Sequence, residues 1–132
     1  MSPGGIQGVG VDLVENDRIR ETLARWGDRF TARVFQPAER RYCDDKADPA
    51  PHYAGRFASK EAVAKALGCG IGAELGWLDM EIVRDPVTGA PAVEFAEAVR
   101  ERMRASGWQK VLISFSHTRR YAVAQAVLVA ND

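Results

Sequence analysis

The chain has 132 residues, of which 46% are hydrophobic and 27% are charged. This length suffices for one domain with its own core and is too short for two of ordinary size, so we expect a single domain over residues 1–132. Lys plus Arg equals Asp plus Glu at 18 each. The resulting formal net charge of zero argues against a general nucleic-acid binder, which would need a basic excess.

The sequence also argues against a membrane protein and against secretion. No apolar run approaches the roughly 18 residues needed to cross a bilayer, and the N-terminal MSPGG lacks the basic start and apolar stretch of a secretory signal. The only two cysteines, Cys43 and Cys69, do not have the spacing of a metal site. We therefore expect both to be reduced thiols that serve packing, in a cytoplasmic protein.

The first third of the chain is predicted to hold one strand and two helices. IQGVGVDLV alternates as a strand does. NDRIRETLARWGDRF has helical spacing, with Asn16 or Asp17 as its N-cap. PAERRYCDD is a short helix opened by its proline.

A long Ala-rich helix follows, beginning near His52 and ending at Gly68, a favourable residue after a helix end. The remaining segments are a strand pair, an amphipathic helix and two closing strands: WLDMEIVRD with PAVEF, FAEAVRERMRASG, and KVLISFSH with YAVAQAVLV. The order lacks regular βαβ repetition. It therefore predicts an α+β fold, with a mostly antiparallel sheet packed against the long Ala-rich helix and shorter helices.

The long helix carries charges among residues suited to burial. RFASKEAVAKAL is small or apolar on most sides, so the carboxylate of Glu61 is expensive to desolvate unless it is paired with a cation. Lys65 lies four residues further on, and one interpretation is an ordinary ion pair with Glu61 on a solvated helix face. The other interpretation is a metal or phosphate site.

The first strand favours the second interpretation. Gly8, Gly10 and Asp12 share one face with Ile6, and we expect the opposite face to be the core face: Gln7, Val9, Val11 and Leu13. Glycine in a strand often marks the close approach of a ligand or another backbone. If the long helix lies over this bare face, Asp12 and Glu61 could meet. Two carboxylates repel unless they share a proton or a cation, and Mg²⁺ bound to phosphates needs such oxygens with lysines nearby.

Two other segments are ambiguous. His117 ends a strand, where a hydrogen-bonded structural histidine is the alternative to a functional one. LGCGIG follows a helix rather than a strand, so it is neither a dinucleotide-binding fingerprint nor a P-loop, and a helix stop with a turn is the simpler interpretation.

The first helix presents a basic stripe beside an apolar one. The basic stripe is Arg18, Thr22 and Arg25, joined by Arg29 if the helix continues through Gly27, and the apolar stripe is Ile19, Leu23, Trp26 and Phe30. Basic residues beside an apolar edge suit an acidic, helical protein partner. A solvated helix face is the alternative.

Five motifs in order resemble the holo-acyl-carrier-protein synthase family of small phosphopantetheinyl transferases: GVGVDLVENDRI, FQPAERRYC, GRFASKEAVAKALGCGIG, MEIVRDPVTGAP and ISFSHTRRYAVAQAV. The resemblance covers nearly the whole chain. It implies transfer of 4′-phosphopantetheine from coenzyme A to a serine of apo acyl carrier protein, with release of 3′,5′-ADP, in fatty acid or polyketide synthesis.

The resemblance also implies roles for individual residues. Asp12 and Glu61 would hold Mg²⁺ with the pyrophosphate of coenzyme A, and Lys65 would contact the phosphates. Asp12, Glu61 and Lys65 would be the catalytic residues. Coenzyme A would be surrounded by Lys65 and by Arg56, Lys60, Gly68 and His117. The carrier protein would meet Arg18, Thr22 and Arg25. A homotrimer with each site between two subunits is implied as well.

Two positions depart from the family pattern. Many members read Gly-Lys-Pro where this chain has Gly89, Ala90 and Pro91, so a possible lysine contact to the 3′-phosphate is missing. Some members carry Asp after the strand-end histidine, and this chain has Thr118.

Two other functions remain open at this point. A Mg²⁺-dependent hydrolase of a nucleotide pyrophosphate would use the same carboxylates without needing the basic stripe. A non-catalytic module that binds coenzyme A or a nucleotide would keep the lysines without needing both carboxylates.

Overall fold

In the computed structural model, which describes residues 4–132, the Ala-rich helix lies across one face of an antiparallel sheet. The expectation about a secretory signal rests in part on residues 1–3, which lie outside the described residues. No helix among residues 4–132 is long and apolar enough to span a bilayer.

Five strands and five α-helices make up the described chain, with one turn of 3₁₀ helix before β2. The elements of the N-terminal half are β1 (Ile6–Glu15), α1 (Asn16–Trp26), α2 (Asp28–Val34), α3 (Pro37–Asp44) and α4 (Pro49–Leu67). The C-terminal half contains the 3₁₀ turn (Trp77–Asp79), β2 (Met80–Arg84), β3 (Pro91–Phe95), α5 (Glu97–Ala105), β4 (Trp108–His117) and β5 (Tyr121–Ala130).

The strands form two antiparallel units. β5 lies between β1 and β4 in a three-stranded sheet, and β2 pairs with β3 as a hairpin. In the larger sheet Asp12 lies opposite Ala124, while His117 lies opposite Ala122. The α+β class and the mostly antiparallel sheet are confirmed.

The two strand glycines let the helix backbone touch the sheet. A Cβ at Gly10 would lie 1.9 Å from the carbonyl oxygen of Ala62, and one at Gly8 would lie 2.1 Å from that of Ala66. At the other end of α4, a Cβ at Gly55 would lie 2.9 Å from the Phe115 ring. α4 therefore crosses the sheet diagonally, with its N-terminal half on β4 and its C-terminal half on β1.

The prediction of which face of β1 packs into the core is wrong. Val9, Val11 and Leu13 are 61%, 59% and 63% exposed, whereas Gly10 on the opposite face is buried. The reason is that a helix packs more closely on the face without side chains, so the glycine face turns inward and the valine face turns outward. One face of the three-stranded sheet is thus apolar and uncovered in the single chain.

The first helix also differs from its prediction. It ends at Trp26, because Gly27 takes a positive φ of 51° and a separate helix, α2, begins at Asp28. Arg29 therefore belongs to α2 and does not extend the basic stripe. Neither predicted N-cap residue caps α1, since Glu15 occupies that position without a side-chain hydrogen bond.

Apolar side chains fill two clusters against α4. One lies between α4, α5 and the sheet and includes Val63, Leu75, Met80, Val99 and Leu128. The other joins α4 to the first three helices and includes Ile19, Val34, Phe35, Cys43 and Tyr53. Cys43 and Cys69 are both free thiols, the first buried and the second exposed.

The glycine contact gives a stability prediction. We expect Gly10→Ala to lower the free energy of unfolding by about 3 kcal/mol or more, because the clash is with helix backbone that cannot swing aside. Gly5→Ala is the control, since a Cβ there meets nothing within 4 Å. Urea denaturation of both variants measures the effect, and equal stability for the two would show that α4 does not need bare backbone on β1.

Candidate active site

Three charged side chains converge where the C-terminal half of α4 crosses β1. The Lys65 ammonium lies 3.2 Å from the Asp12 carboxylate and donates a hydrogen bond to the Val11 carbonyl oxygen at 2.9 Å. Glu61, one helical turn before Lys65, is half-buried beside them. Lys65 thus reaches across to β1, which differs from the expected helix-surface pair with Glu61.

The two carboxylates of this group disturb each other. Burial raises the pKa of Glu61, the charge of Asp12 raises it further, and Lys65 offsets only part of the shift. Among residues 4–132 no set of three or more His, Cys, Asp or Glu side chains could enclose a metal ion. A pair of carboxylates with one lysine suits a cation that takes its other ligands from a bound phosphate and water, as Mg²⁺ does.

A second group of charged and aromatic side chains lies near the His117 end of β4. We call it the basic–aromatic cluster, and its members are Tyr42, Lys46, His52, Arg56, Arg84, Phe115 and His117. The Arg56 guanidinium lies 4.1 Å from the centre of the Tyr42 ring, and the Lys46 ammonium lies 4.4 Å from it. Arg84 lies over Phe115 at 5.3 Å. The rings of His52 and His117 meet edge to face at 5.1 Å.

Positive charge accumulates in this cluster. Burial raises the pKa of Tyr42, but the cations Arg84, Lys46 and Arg56 outweigh burial and leave the pKa below its usual value. Burial lowers the pKa of His52, and the neighbouring His117 and cations lower it further. Within residues 4–132 no salt bridge joins these three cations to a carboxylate. The cluster is therefore suited to an anion.

Arg56 is the buried member of the cluster. Its guanidinium donates a long hydrogen bond of 3.4 Å to the His52 carbonyl oxygen, and its Nε has no hydrogen-bond partner among the described residues. The sequence pointed to Arg56 and His117 but missed Tyr42, Lys46 and Arg84. Tyr42 and Lys46 lie in or just after α3, whereas Arg84 ends β2, and only the fold brings Arg56 and Arg84 to the Tyr42 ring beside Lys46.

The prediction that Lys60 contacts coenzyme A is wrong. Its side chain is fully buried and donates hydrogen bonds at 2.7 Å to Glu39 and to the Val34 carbonyl oxygen, and at 3.2 Å to that of Trp77. These three acceptors saturate the ammonium, so it is not available to a phosphate of coenzyme A. Burial lowers the pKa of Lys60, although the Glu39 carboxylate acts against that shift.

Glu39 is the centre of this buried network. One carboxylate oxygen accepts from Lys60 and from the Gln36 backbone N–H at 2.8 Å, and the other accepts from the Ile82 N–H at 3.0 Å. A buried ion pair is tolerated only when its hydrogen-bonding groups are satisfied, as they are here. The pair joins α3, α4 and β2, so Lys60 has a structural role.

The other residues named from sequence lie on the surface. Gly68 ends α4 with a positive φ of 77°, as expected for a helix stop. Arg18 and Arg25 are exposed on α1, while the Thr22 hydroxyl donates to the Arg18 carbonyl oxygen at 2.8 Å. Thr22 also lines a groove of about 840 Å³ with further lining residues Trp26, Arg29, Phe30, Arg33, Phe57 and Trp77.

The two candidate groups are separate within one chain. Arg56 and Glu61 are five residues apart on α4, which is about 7.5 Å along the helix and about 140° around it. Asp12 lies on β1 and His117 on β4, the two outer strands of the sheet, about 10 Å apart. The carboxylate pair with Lys65 and the basic–aromatic cluster thus lie at opposite edges of the sheet.

This fold, with a two-carboxylate group on a glycine-faced strand and a long helix, has known relatives. Residues 8–126 match the sequence model of the 4′-phosphopantetheinyl transferase superfamily. The chain belongs to this superfamily. It is 45% identical over 122 residues to holo-[acyl-carrier-protein] synthase of Chlamydia pneumoniae, covering 92% of this chain and 96% of that protein.

Solved structures of the same family agree with the fold. The Helicobacter pylori holo-[acyl-carrier-protein] synthase in complex with coenzyme A matches with a TM-score of 0.80 and 36% identity, covering 91% of this chain and 98% of the other. The Neisseria meningitidis holo-[acyl-carrier-protein] synthase matches with a TM-score of 0.86 and 30% identity, covering 94% and 98%.

The contrasting environments of the two α4 lysines give a prediction. We expect Lys60→Met to lower the free energy of unfolding by about 3–5 kcal/mol, because it leaves the buried Glu39 carboxylate without its counter-ion. Lys65→Met should change stability by about 0.5 kcal/mol or less, since the Lys65 side chain is 52% exposed. Thermal and denaturant unfolding distinguish the two, and equal losses would contradict the structural assignment of Lys60.

Proposed function

We propose that the protein transfers 4′-phosphopantetheine from coenzyme A to a serine hydroxyl of an apo acyl carrier protein and releases 3′,5′-ADP. The observation that carries this proposal is the meeting of Asp12, Glu61 and Lys65 at the α4–β1 crossing, in a chain of the phosphopantetheinyl transferase superfamily. The names of its relatives, holo-[acyl-carrier-protein] synthases, support the same reaction. The product would serve fatty acid or polyketide synthesis.

The carboxylates of Asp12 and Glu61 would hold Mg²⁺. Their mutual repulsion and the exposed Lys65 beside them fit an ion that is completed by the pyrophosphate of coenzyme A. When bound, Mg²⁺ supplies positive charge against the pyrophosphate oxygens.

The chemical step needs proton transfer and charge neutralisation from this chain. The serine oxygen forms a bond to the β-phosphorus, its proton passes to the Glu61 carboxylate, and the bond to the departing 3′,5′-ADP oxygen breaks. Lys65 would neutralise the charge that develops on the departing phosphate, a role that its exposed ammonium permits.

The basic–aromatic cluster would bind the 3′-phosphate end of coenzyme A. Arg56, Arg84 and Lys46 meet around Tyr42 without a salt bridge to any carboxylate of residues 4–132, and the exposed His117 lies at the rim. Arg84 donates a hydrogen bond to the Gly89 carbonyl oxygen at 2.9 Å, which places it beside Ala90. Arg84 would thus supply positive charge near the position of Ala90, where many members of the family have a lysine that could contact the 3′-phosphate. Gly68, at the end of α4, would contact the cofactor through its backbone.

Coenzyme A would bind between subunits. One chain carries the carboxylate pair at its β1 edge and the basic–aromatic cluster at its β4 edge, so neither edge alone meets both ends of the cofactor. A cyclic assembly that places the β1 edge of one subunit beside the β4 edge of the next would complete each site. We propose a homotrimer of this kind.

The exposed sheet face supports assembly. Its apolar side chains are Val9, Val11, Leu13, Leu112 and Val123, all at least 39% exposed in the single chain. An apolar patch that spans three strands is unusual on a monomer and typical of a protein interface. The same face lies between the two edges that carry the half-sites.

The carrier protein would dock on α1 and the adjoining groove. Arg18 and Arg25 are exposed, and the groove beside Thr22 is lined by Trp26, Phe57 and Trp77. An acidic, helical carrier would meet the arginines with its charges and the groove with apolar side chains. Two free thiols suit the reducing cytoplasm that we propose as the site of the reaction.

Intact mass of the carrier tests the reaction. With coenzyme A, Mg²⁺ and apo carrier protein, we expect a gain of one phosphopantetheine, roughly 340 Da, since the transferred group forms a covalent bond.

Glu61→Gln should abolish transfer while stability stays equal or rises, because the change removes a charge that repels Asp12. Asp12→Ala should also abolish transfer. Lys65→Met should lower kcat on the order of a hundredfold.

The same experiment distinguishes the competing functions. Release of ADP without a change in carrier mass would favour a hydrolase, and binding of coenzyme A without turnover would favour a binding module. Near-normal transfer by Glu61→Gln at saturating Mg²⁺ would contradict the shared carboxylate site.

Assembly is tested by placing a charge on the apolar sheet face. We expect Val9→Lys to dissociate the trimer and stop transfer, because it would bury an unpaired ammonium at the interface. Val87→Lys is the matched control, since Val87 is 90% exposed in the hairpin turn. Light scattering after size-exclusion chromatography gives the mass.

Subunit mixing tests the shared site. Glu61→Gln and His117→Ala each spoil a different half-site, so mixed trimers should regain activity at about a quarter of their sites when subunits combine randomly. The absence of any regain would place the complete site within one chain.

The carrier interface predicts a salt effect. Arg18→Glu with Arg25→Glu should raise KM for the carrier and leave KM for coenzyme A unchanged, because exposed interface charges act mainly on the rate of encounter. Added NaCl should raise the wild-type KM for the carrier and affect the double variant much less. Steady-state kinetics at several salt concentrations test this, and an equal loss for both substrates would move these arginines away from the carrier.

A further inference from the structure

A single buried residue, Asn16, ties α1 to the turn that joins β4 and β5. Its side-chain amide donates hydrogen bonds to the carbonyl oxygens of Thr118 at 2.9 Å and Arg119 at 3.3 Å. Its backbone N–H donates to the carbonyl oxygen of Arg120 at 2.8 Å. Three successive carbonyl groups thus converge on one residue that has no exposed surface.

The turn needs these donors. Its only other hydrogen bonds among the described residues are internal, from the Thr118 N–H to the Tyr121 carbonyl oxygen at 2.8 Å and between Tyr121 and the Thr118 hydroxyl. Three carbonyl dipoles that point to one place repel one another unless a donor lies between them. Asn16 is the donor that holds the turn against α1.

The amide of Asn16 is not explained by local helix stability. Asn16 is the first residue of α1, but its side chain does not cap the helix. Its Oδ1 is buried without a hydrogen-bond partner among the described residues, which is unfavourable. Among the described residues, the Asn16 side chain therefore forms hydrogen bonds only through its N–H groups, and these donate only to the turn.

The position of the turn links it to the cofactor. The turn begins immediately after His117, whose ring contacts His52 in the basic–aromatic cluster. The side chains of Arg119 and Arg120 line a cavity of about 630 Å³ together with His117 and Arg20. His117 is the last residue of β4 and pairs with Ala122 of β5, so the backbone that Asn16 holds is the segment that directly follows His117.

We infer that Asn16 is a positioning residue for coenzyme A, which acts by fixing the β4–β5 turn and, through it, His117. This inference rests on the proposed function of the basic–aromatic cluster. Asn16 touches neither substrate. Because its backbone N–H bond to Arg120 does not involve the side chain, substitution should leave the start of α1 and the carrier-binding arginines in place.

Two substitutions remove the side-chain donors. Asn16→Ala deletes the amide, and Asn16→Leu keeps the branching at Cγ and loses both N–H groups without adding a buried charge, so it serves if the alanine variant folds poorly. For both we expect KM for coenzyme A and Kd for 3′,5′-ADP to rise on the order of tenfold, because a misplaced contact weakens binding. KM for the carrier should stay within about twofold of wild type. Exchange of the Thr118 amide hydrogen should become faster.

Val99→Ala is the control for stability alone. Val99 is buried in α5, in the apolar cluster between α4, α5 and the sheet. Calorimetric titration with 3′,5′-ADP, steady-state kinetics and amide hydrogen exchange are measured on all variants and on wild type.

The outcomes separate the inference from the proposed function. Weaker 3′,5′-ADP binding with faster Thr118 exchange in the Asn16 variants, and not in Val99→Ala, supports the inference. Unchanged affinity for 3′,5′-ADP in the Asn16 variants, or the same loss in Val99→Ala, overturns it while wild type still transfers. A wild-type protein that neither binds 3′,5′-ADP nor modifies the carrier overturns the proposed function and the inference with it.

Discussion

The contact between α4 and the bare face of β1 determines the geometry of the rest of the molecule. The carbonyl oxygens of Ala62 and Ala66 occupy the space that side chains at Gly10 and Gly8 would fill. This contact brings the helix backbone against the strand, and it leaves Asp12 level with Glu61 and Lys65. A side chain at Gly8 or Gly10 would lift α4 and separate the two carboxylates. The close backbone packing of α4 on β1 therefore also determines the arrangement of the site.

Four charged residues of α4 have four different environments. Arg56 lies between aromatic rings, Lys60 is buried with Glu39, Glu61 faces Asp12, and Lys65 is exposed. The helix rotates by 100° per residue, so each charge meets a different neighbour. The network around Lys60 is satisfied and stabilises the packing of α3, α4 and β2. Burial and the charge of Asp12 both raise the pKa of Glu61, which fits the proposed cation site.

The proposed assembly would account for two features of the single chain. The carboxylate pair and the basic–aromatic cluster lie on opposite outer strands, and the uncovered valine face lies between them. Assembly around the sheet would cover this face and bring the two groups of neighbouring subunits together. Within the chain, Asn16 connects α1 to the turn that follows His117.

The local elements and the candidate site could be predicted from the sequence, because period-2 and period-3.6 patterns, helix-ending glycines and motif residues are local signals. The meeting of Asp12 with Glu61 was predicted in this way, from the glycine face and the charges of the Ala-rich helix. The tertiary structure decided which face of β1 is buried, since only the position of α4 distinguishes them. It also decided that Lys60 is an internal counter-ion, since its acceptors come from α2, α3 and the 3₁₀ turn. The basic–aromatic cluster could not be predicted, because its members are up to 75 residues apart and meet only through long-range packing around Tyr42 and Phe115.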